Sequence, residues 1–217
     1  MFIGHFGVGF GAKKISSLPS LGTMFLAAQF IDLLWPIFIL LGIEKVTIVP
    51  GGPPFKTLDF TYYPFSHSLF GVVIWSLLFG LIYYFVKKNL RGSVLLGGLV
   101  LSHWVLDFFT HVPDLPIFPW SDTKVGLGLW NSPAATIIIE VLIYLAGAFL
   151  YLRYRKEQNK KGLIGTIGLV FVLLLIYIIS SFGSASPSVE AIGYSGLGLW
   201  IFVAWAYWID RKVKVVN

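Results

Sequence analysis

Long apolar runs divided by short polar breaks set the pattern of this chain. Runs at roughly 20–43, 66–86, 92–112, 132–153, 163–183 and 191–209 each come close to the ~20 residues a helix needs to cross a bilayer. Residues 2–12 are also apolar but too short to span. They predict a short N-terminal re-entrant helix that folds back at 13–19. The expected fold class is therefore all-α: a polytopic membrane helix bundle of about six transmembrane helices plus the re-entrant helix, forming one integral membrane domain over 1–217. Breakers mark the loops. Residues 49–54 read Val-Pro-Gly-Gly-Pro-Pro and 112–116 read Val-Pro-Asp-Leu-Pro, and neither stretch can continue a helix. Trp120 and Trp130 fit an interfacial aromatic belt. The glycines between 4 and 11 match no phosphate or dinucleotide loop, and close helix packing accounts for them better. Trp200, Trp205, Tyr207 and Trp208 are expected to face lipid and anchor the last span.

Composition supports this reading. The 217 residues are 57% hydrophobic and 12% charged, and a soluble domain would not carry such runs. Cysteine is absent. That excludes disulfides, iron–sulfur clusters and thiolate zinc sites, leaving His and carboxylate as the strong metal ligands. The net charge of +6 does not point to nucleic acid, because the basic residues form short juxtamembrane clusters. Lys13 and Lys14 form one, Lys87, Lys88 and Arg91 a second. Arg153, Arg155, Lys156, Lys160 and Lys161 form a third, and Arg211, Lys212 and Lys214 the tail. Threading six spans places these 13 basic residues on one side and only Lys45, Lys56 and Lys124 on the other. The positive-inside rule then puts the Lys13/Lys14 turn, the basic loops and the C-terminus in the cytoplasm. No basic n-region opens the chain, so a secretory signal peptide is not expected.

The chemistry lies in ionisable residues inside apolar runs, where charge is costly and usually faces a cavity or marks a site. His103 and Asp107 are spaced i, i+4 and share a helix face, so they can grip one metal. His111 continues that face about 12 Å further along, too far to share the ion, and is placed nearer the mouth. Ser66 is expected to cap the second span with His67 in its first turn. Folding back at 13–19 brings His5 and Asp32 to similar depth. Glu140 reaches the depth of His103 and could orient a ligand histidine or act as a general base.

These residues resemble the membrane-bound metal-dependent hydrolases, also described as LexA-binding, inner-membrane-associated hydrolases. Gly4-His5 matches their opening Gly-His. Residues 32–36 read Asp-Leu-Leu-Trp-Pro against Pro-Asp-Ile-Asp-His-Pro, which keeps Asp32 and replaces the second Asp and the His by Leu34 and Trp35. Residues 62–68 read Tyr-Tyr-Pro-Phe-Ser-His-Ser against His-Arg-Gly-x-Thr-His-Ser, which keeps His67 and Ser68. Leu101, Ser102, His103 and Asp107 match in full. The resemblance spans roughly residues 1–120, leaving helices 132–209 outside it, and implies an inner-membrane metal-dependent hydrolase. The missing ligands favour a single metal, or a diverged member in which His111 or Asp114 takes a lost ligand's place.

The expected function is a membrane-embedded hydrolase acting on a lipid or lipid-linked (phospho)ester near the non-cytoplasmic face of a prokaryotic plasma membrane. One divalent metal ion, zinc by its donor set, would be drawn from His5, Asp32, His67, His103 and Asp107. Asp32 or Glu140 would serve as general base, and His111, Ser68 and Asp114 would line the substrate mouth. Two rivals use the same residues: a proton- or metal-ion transporter, and a non-catalytic scaffold braced by a structural metal. A transporter would continue its polar column to the cytoplasmic side, and the sequence shows almost none there.

Overall fold

The structure, a computed structural model, describes residues 1–154 and 160–211. Arg155 and Lys156 of the third basic cluster, and Lys212 and Lys214 of the tail, lie outside the described residues.

Helix α1 (Ile3–Ala12) enters the bundle and turns back into α2 (Leu21–Ala28) and α3 (Phe30–Leu40). A ribbon of β1 (Lys45–Ile48) and β2 (Leu58–Tyr62) follows, then the single turn α4 (Pro64–His67), and the hairpin of α5 (Leu69–Lys87) and α6 (Leu90–Thr110). A second short ribbon pairs β3 (Leu115–Pro116) with β4 (Lys124–Val125). The chain closes with α7 (Pro133–Tyr154), α8 (Lys160–Ser181), α9 (Val189–Leu197) and α10 (Leu199–Asp210). Among the described residues, α5, α6, α7, α8 and the run Val189–Asp210 are long and apolar enough to cross a membrane. Helices α2 and α3 together make a sixth span, bent by 55°. The expected polytopic helix bundle is the fold. Helices satisfy their own backbone groups, which is what a bilayer demands of an apolar run.

Three details differ from the sequence reading. The run 20–43 is broken at Gln29 rather than continuous. The second span starts at Leu69, because Ser68, not Ser66, caps it: the Ser68 side chain accepts from Gly71 N–H at 3.0 Å. The loop at 44–65 carries an antiparallel ribbon, with Lys45 opposite Tyr62 and Ile48 opposite Leu58. Its strands, Lys-Val-Thr-Ile and Leu-Asp-Phe-Thr-Tyr, are rich in the β-branched and aromatic residues that suit a pleated surface. The Pro/Gly segment between them makes the tip.

Helix α1 is part of the core. Ile3, Phe6 and Phe10 are fully buried, and Phe6 and Phe10 meet the ring of Phe25 edge-on at 4.9 and 4.7 Å. It lies backbone-to-backbone on α7. A Cβ added at Gly147 would run into the Gly7 carbonyl, and one at Gly7 would sit 2.7 Å from Tyr144 Cα. The glycines at the start thus serve close packing. Of the aromatics of the last span, Trp200 and Trp208 are exposed. The Tyr207 ring covers Gly22 and its hydroxyl meets Thr23 Oγ1 at 3.1 Å, while Trp205 and Trp208 lie over Gly168 and Gly165 of α8.

One end of the bundle gathers basic groups. Lys14 Nζ lies 5.0 Å over the Tyr154 ring, Pro19 touches Gly92, and Asp210 accepts from Gly22 N–H. Both ribbons lie at the other end. Gly147→Leu should overpack the α1–α7 seam and destabilise the protein by about 1–3 kcal/mol or more, whereas Gly98→Ala, with nothing within 4 Å of the added carbon, should be close to neutral. Thermal melting in detergent compares them. Equal melting temperatures would contradict the seam.

Candidate functional site

The break at Gln29 frees backbone groups that a continuous helix would use. Gln29 Nε2 donates to Phe2 O at 3.3 Å, tying α1 to the bend. The Ala28 carbonyl, left at the end of α2, lies 2.9 Å from His103 Nδ1. A carbonyl can only accept, so Nδ1 carries the proton and Nε2 of a neutral His103 presents its lone pair. His67 is fixed the same way. Glu44, at the end of the first apolar run, is buried and accepts from Phe65 N–H and Ser66 N–H at 2.8 Å each and from Ser66 Oγ at 2.6 Å. With its hydrogen given to Glu44, Ser66 Oγ accepts from His67 Nδ1 at 2.7 Å. Again Nε2 faces the interior. Burial pushes the Glu44 carboxyl above its ordinary range, against the pull of Ser66 and His67.

Four atoms then face one another: Asp32 Oδ1, His67 Nε2, His103 Nε2 and Asp107 Oδ2. His103 lies 3.2 Å from Asp107 and 3.5 Å from Asp32; His67 lies 3.6 Å from Asp32 and 3.9 Å from Asp107. Ligands about 2.05 Å from a tetrahedral zinc stand about 3.3 Å apart; the His103–Asp107 pair is close to such an edge, and the other three separations are longer. His103 Nε2 is buried without a hydrogen-bond partner, although two carboxylates stand beside it. Donor atoms crowded this closely, one of them without a hydrogen bond, leave room for a cation among them. His5 adds to this set from α1. Its ring stacks on His103 at 3.7 Å and 7°, and its Nε2 faces the other Asp107 oxygen, Oδ1, at 3.2 Å. Two overlapping triads can hold an ion, His5/His103/Asp107 and Asp32/His67/His103. The amino group of Met1 also bonds Asp107 Oδ1, at 2.5 Å.

A cavity of about 280 Å³ opens beside the cluster. Asp32, His67 and Asp107 line it, and the Asp32 side chain is 22% exposed while the other three of the four are nearly or fully buried. Trp35, where the resembling family has His, forms part of the wall and meets His67 edge-on. The β1–β2 ribbon covers the cavity with Phe55, Thr57 and Phe60.

The remaining predicted residues fall around it. His111 lines the cavity against Trp130, with ring centroids 4.0 Å apart. Its Nδ1 donates to Asp114 Oδ1 at 2.8 Å, and the Tyr63 hydroxyl bonds the same oxygen at 3.2 Å. Burial lowers the His111 pKa despite Asp114. Burial raises that of Tyr63, and Asp114 adds to it. Glu140 lines the cavity too, and its Oε2 accepts from Phe2 N–H at 2.7 Å and Gly4 N–H at 3.4 Å, so it anchors the start of α1. Ser68 is fully buried as the α5 cap and is not part of the cavity wall. Sequence reasoning passed over Glu44 and Gln29, and read Trp35 only as the replacement of a ligand. Glu44 follows an apolar run and precedes Lys45, so it reads as an ordinary interfacial charge.

Fold and site together define a class: an integral membrane helix bundle with a buried His/Asp cluster at one end. Residues 61–185, more than half of the chain, match the model of the YdjM inner membrane protein family, and the chain belongs to that family. The matched segment contains His67, His103, Asp107, His111 and Glu140, and stops short of His5 and Asp32. No curated protein and no solved structure matches the chain.

Ser66→Ala removes the link between Glu44 and His67. It should weaken zinc binding by about 10–100-fold with helix content unchanged, as read by competition with a chromophoric chelator and by circular dichroism. Undiminished affinity would remove Ser66 from the site.

Proposed function

We propose that this protein is a membrane-embedded, metal-dependent hydrolase of a lipid or lipid-linked ester, working at the end of the bundle opposite its basic loops. The observation that carries the reading is the convergence of Asp32, His67, His103 and Asp107 beside a cavity that three of them line. A purely structural zinc is closed on all sides, while a catalytic one keeps a position open. His67, His103 and Asp107 would hold the ion, and Asp32, the most exposed of the four, stands between it and the cavity. His5 steadies Asp107 from its far oxygen. A divalent ion bound here would polarise the ester carbonyl or phosphoryl group and make water more acidic.

The chain's own residues do the rest. Asp32 Oδ1 accepts the proton of the attacking water. The backbone carbonyl of Ala28 and the Glu44–Ser66 pair keep both imidazoles turned inward. Trp35, Phe60 and Trp130 exclude bulk water from the wall. Orientation with the basic end in the cytoplasm would place the cavity near the outer leaflet.

A transport path is not favoured. The buried histidines and acids among the described residues are His5, Glu44, His67, His103, Asp107, His111 and Glu140, all at or around the cluster. Toward the basic end the buried polar side chains include Ser93, Tyr151 and Thr166, and the acid there, Asp210, is only half-buried.

Purified protein should contain about one zinc-like ion per chain. His103→Ala and Asp107→Ala should lose it together with esterase or phosphoesterase activity. Asp32→Asn should keep the ion on the remaining ligands and lose a factor of about 10²–10⁴ in rate. Metal analysis and a panel of lipid esters and phosphoesters provide the readout. A metal whose loss lowers only the melting temperature, with no ester turned over by the loaded protein, would refute the enzyme and leave a braced scaffold.

A further inference from the structure

The cavity has a second wall that the proposed chemistry does not use. Phe2, Phe55, Glu140, Tyr177, Ser180 and Ser181 line it. The rings of Phe2 and Phe55 lie 6.3 and 6.4 Å from that of Tyr177, so three aromatic faces gather near one carboxylate. Phe55 reaches this position from the ribbon tip with φ at 66°, the left-handed region that a bulky residue rarely adopts. The hydrogens of Ser180 Oγ and Ser181 Oγ are both given to the Tyr177 carbonyl, at 3.0 and 2.7 Å. What these hydroxyls offer the cavity is lone pairs.

Charge points the same way. Among the described residues, no lysine or arginine lines the cavity. Met1 is among the lining residues, and its amino group is buried and committed to Asp107. With the Met1 amino group paired to Asp107, a divalent ion at the cluster would balance Asp32 and Glu140 and leave the lining without surplus positive charge. A polyanion would meet the Glu140 carboxylate and acceptor atoms with no basic side chain to hold it. A positively charged group would meet a carboxylate, ring faces and hydroxyl lone pairs, the combination that recognises ammonium ions.

We propose that this wall is an ammonium-binding subsite that takes the headgroup of a zwitterionic phospholipid, whose phosphodiester then lies toward the His/Asp cluster. The size agrees. About 280 Å³ is just under the ~300–1,000 Å³ of sites that enclose a whole small ligand, so it suits a headgroup, with the acyl chains left in the bilayer. The subsite names the substrate class for the hydrolase reading and rests on it for the chemistry, but it can be tested by binding alone.

The test uses zinc-loaded protein in detergent carrying Asp32→Asn to slow turnover. The probes are dihexanoyl phosphatidylethanolamine, dihexanoyl phosphatidylcholine and dihexanoyl phosphatidylglycerol, titrated by calorimetry. One or both zwitterionic lipids should bind about tenfold tighter than the glycerol lipid, the scale of a desolvated cation–aromatic contact. A lead for ethanolamine would assign the hydroxyl lone pairs the larger part, and a lead for choline the rings. Glu140→Gln and Phe55→Ala should each erase the preference while leaving phosphatidylglycerol binding in place. Glu140 also anchors α1, so if its variant fails to fold, Phe55→Ala on the surface ribbon carries the test. Equal or tighter binding of phosphatidylglycerol, or a preference that survives Phe55→Ala, overturns the subsite. A headgroup preference in a protein that hydrolyses no ester would instead sink the hydrolase reading and leave the subsite standing.

Discussion

The architecture around the site depends on placing ionisable groups where the surroundings are apolar. An imidazole or carboxylate in such a bundle is tolerated when its hydrogen-bonding atoms are taken up by fixed partners or by an ion. The protein meets this demand by breaking a helix. The 55° bend at Gln29 releases the Ala28 carbonyl to His103 and brings the first turn of α3, with Asp32, against α6. The same residue ties down α1 through Phe2. Straightening that span would deprive His103 Nδ1 of its partner and shift Asp32 away from the two histidines. The bend and the cluster therefore stand or fall together.

Much of the architecture was legible in the apolar runs, because a bilayer permits few solutions for twenty consecutive apolar residues. The residues of the cluster were legible for the complementary reason: His5, Asp32, His67, His103 and Asp107 are polar where polarity is costly, and His103 and Asp107 also share a helix face. The supporting groups were harder to find. Gln29 lies in a run that reads as continuous, and no proline or glycine marks the bend there. Glu44 and Ser66 are ordinary residues for a loop and a helix start, and their meeting is set by the turn at 63–68. Ser66 was read as a cap because serines precede helices, yet Ser68 two residues on has the extended backbone that capping needs. The ribbon over the cavity was hidden by its Pro/Gly tip, which reads only as loop.

Membership of the YdjM inner membrane protein family places the chain in a membrane and says nothing of its chemistry. The chemical argument comes from three properties that coincide at one end of the bundle. Imidazole and carboxylate side chains crowd together, the cluster borders a cavity, and among the described residues the cavity wall combines carboxylates and aromatic rings with no lysine or arginine. A scaffold needs the first property. An enzyme acting on lipid uses all three. Helix α1 contributes to each: His5 stacks on His103, Phe2 lines the wall, and the close seam of Gly7 on Gly147 brings both to the depth of α6. Close helix packing, a structural matter on its face, is thus what assembles the site.

The claim that these side chains form one metal centre is tested most directly by X-ray absorption at the zinc edge on purified, zinc-loaded protein in detergent. The account predicts a first shell of nitrogen and oxygen at about 2.0–2.1 Å without sulfur, with the outer-shell scattering of two imidazoles, from His67 and His103. A shell of water oxygens alone, or zinc that washes out during purification, would contradict it.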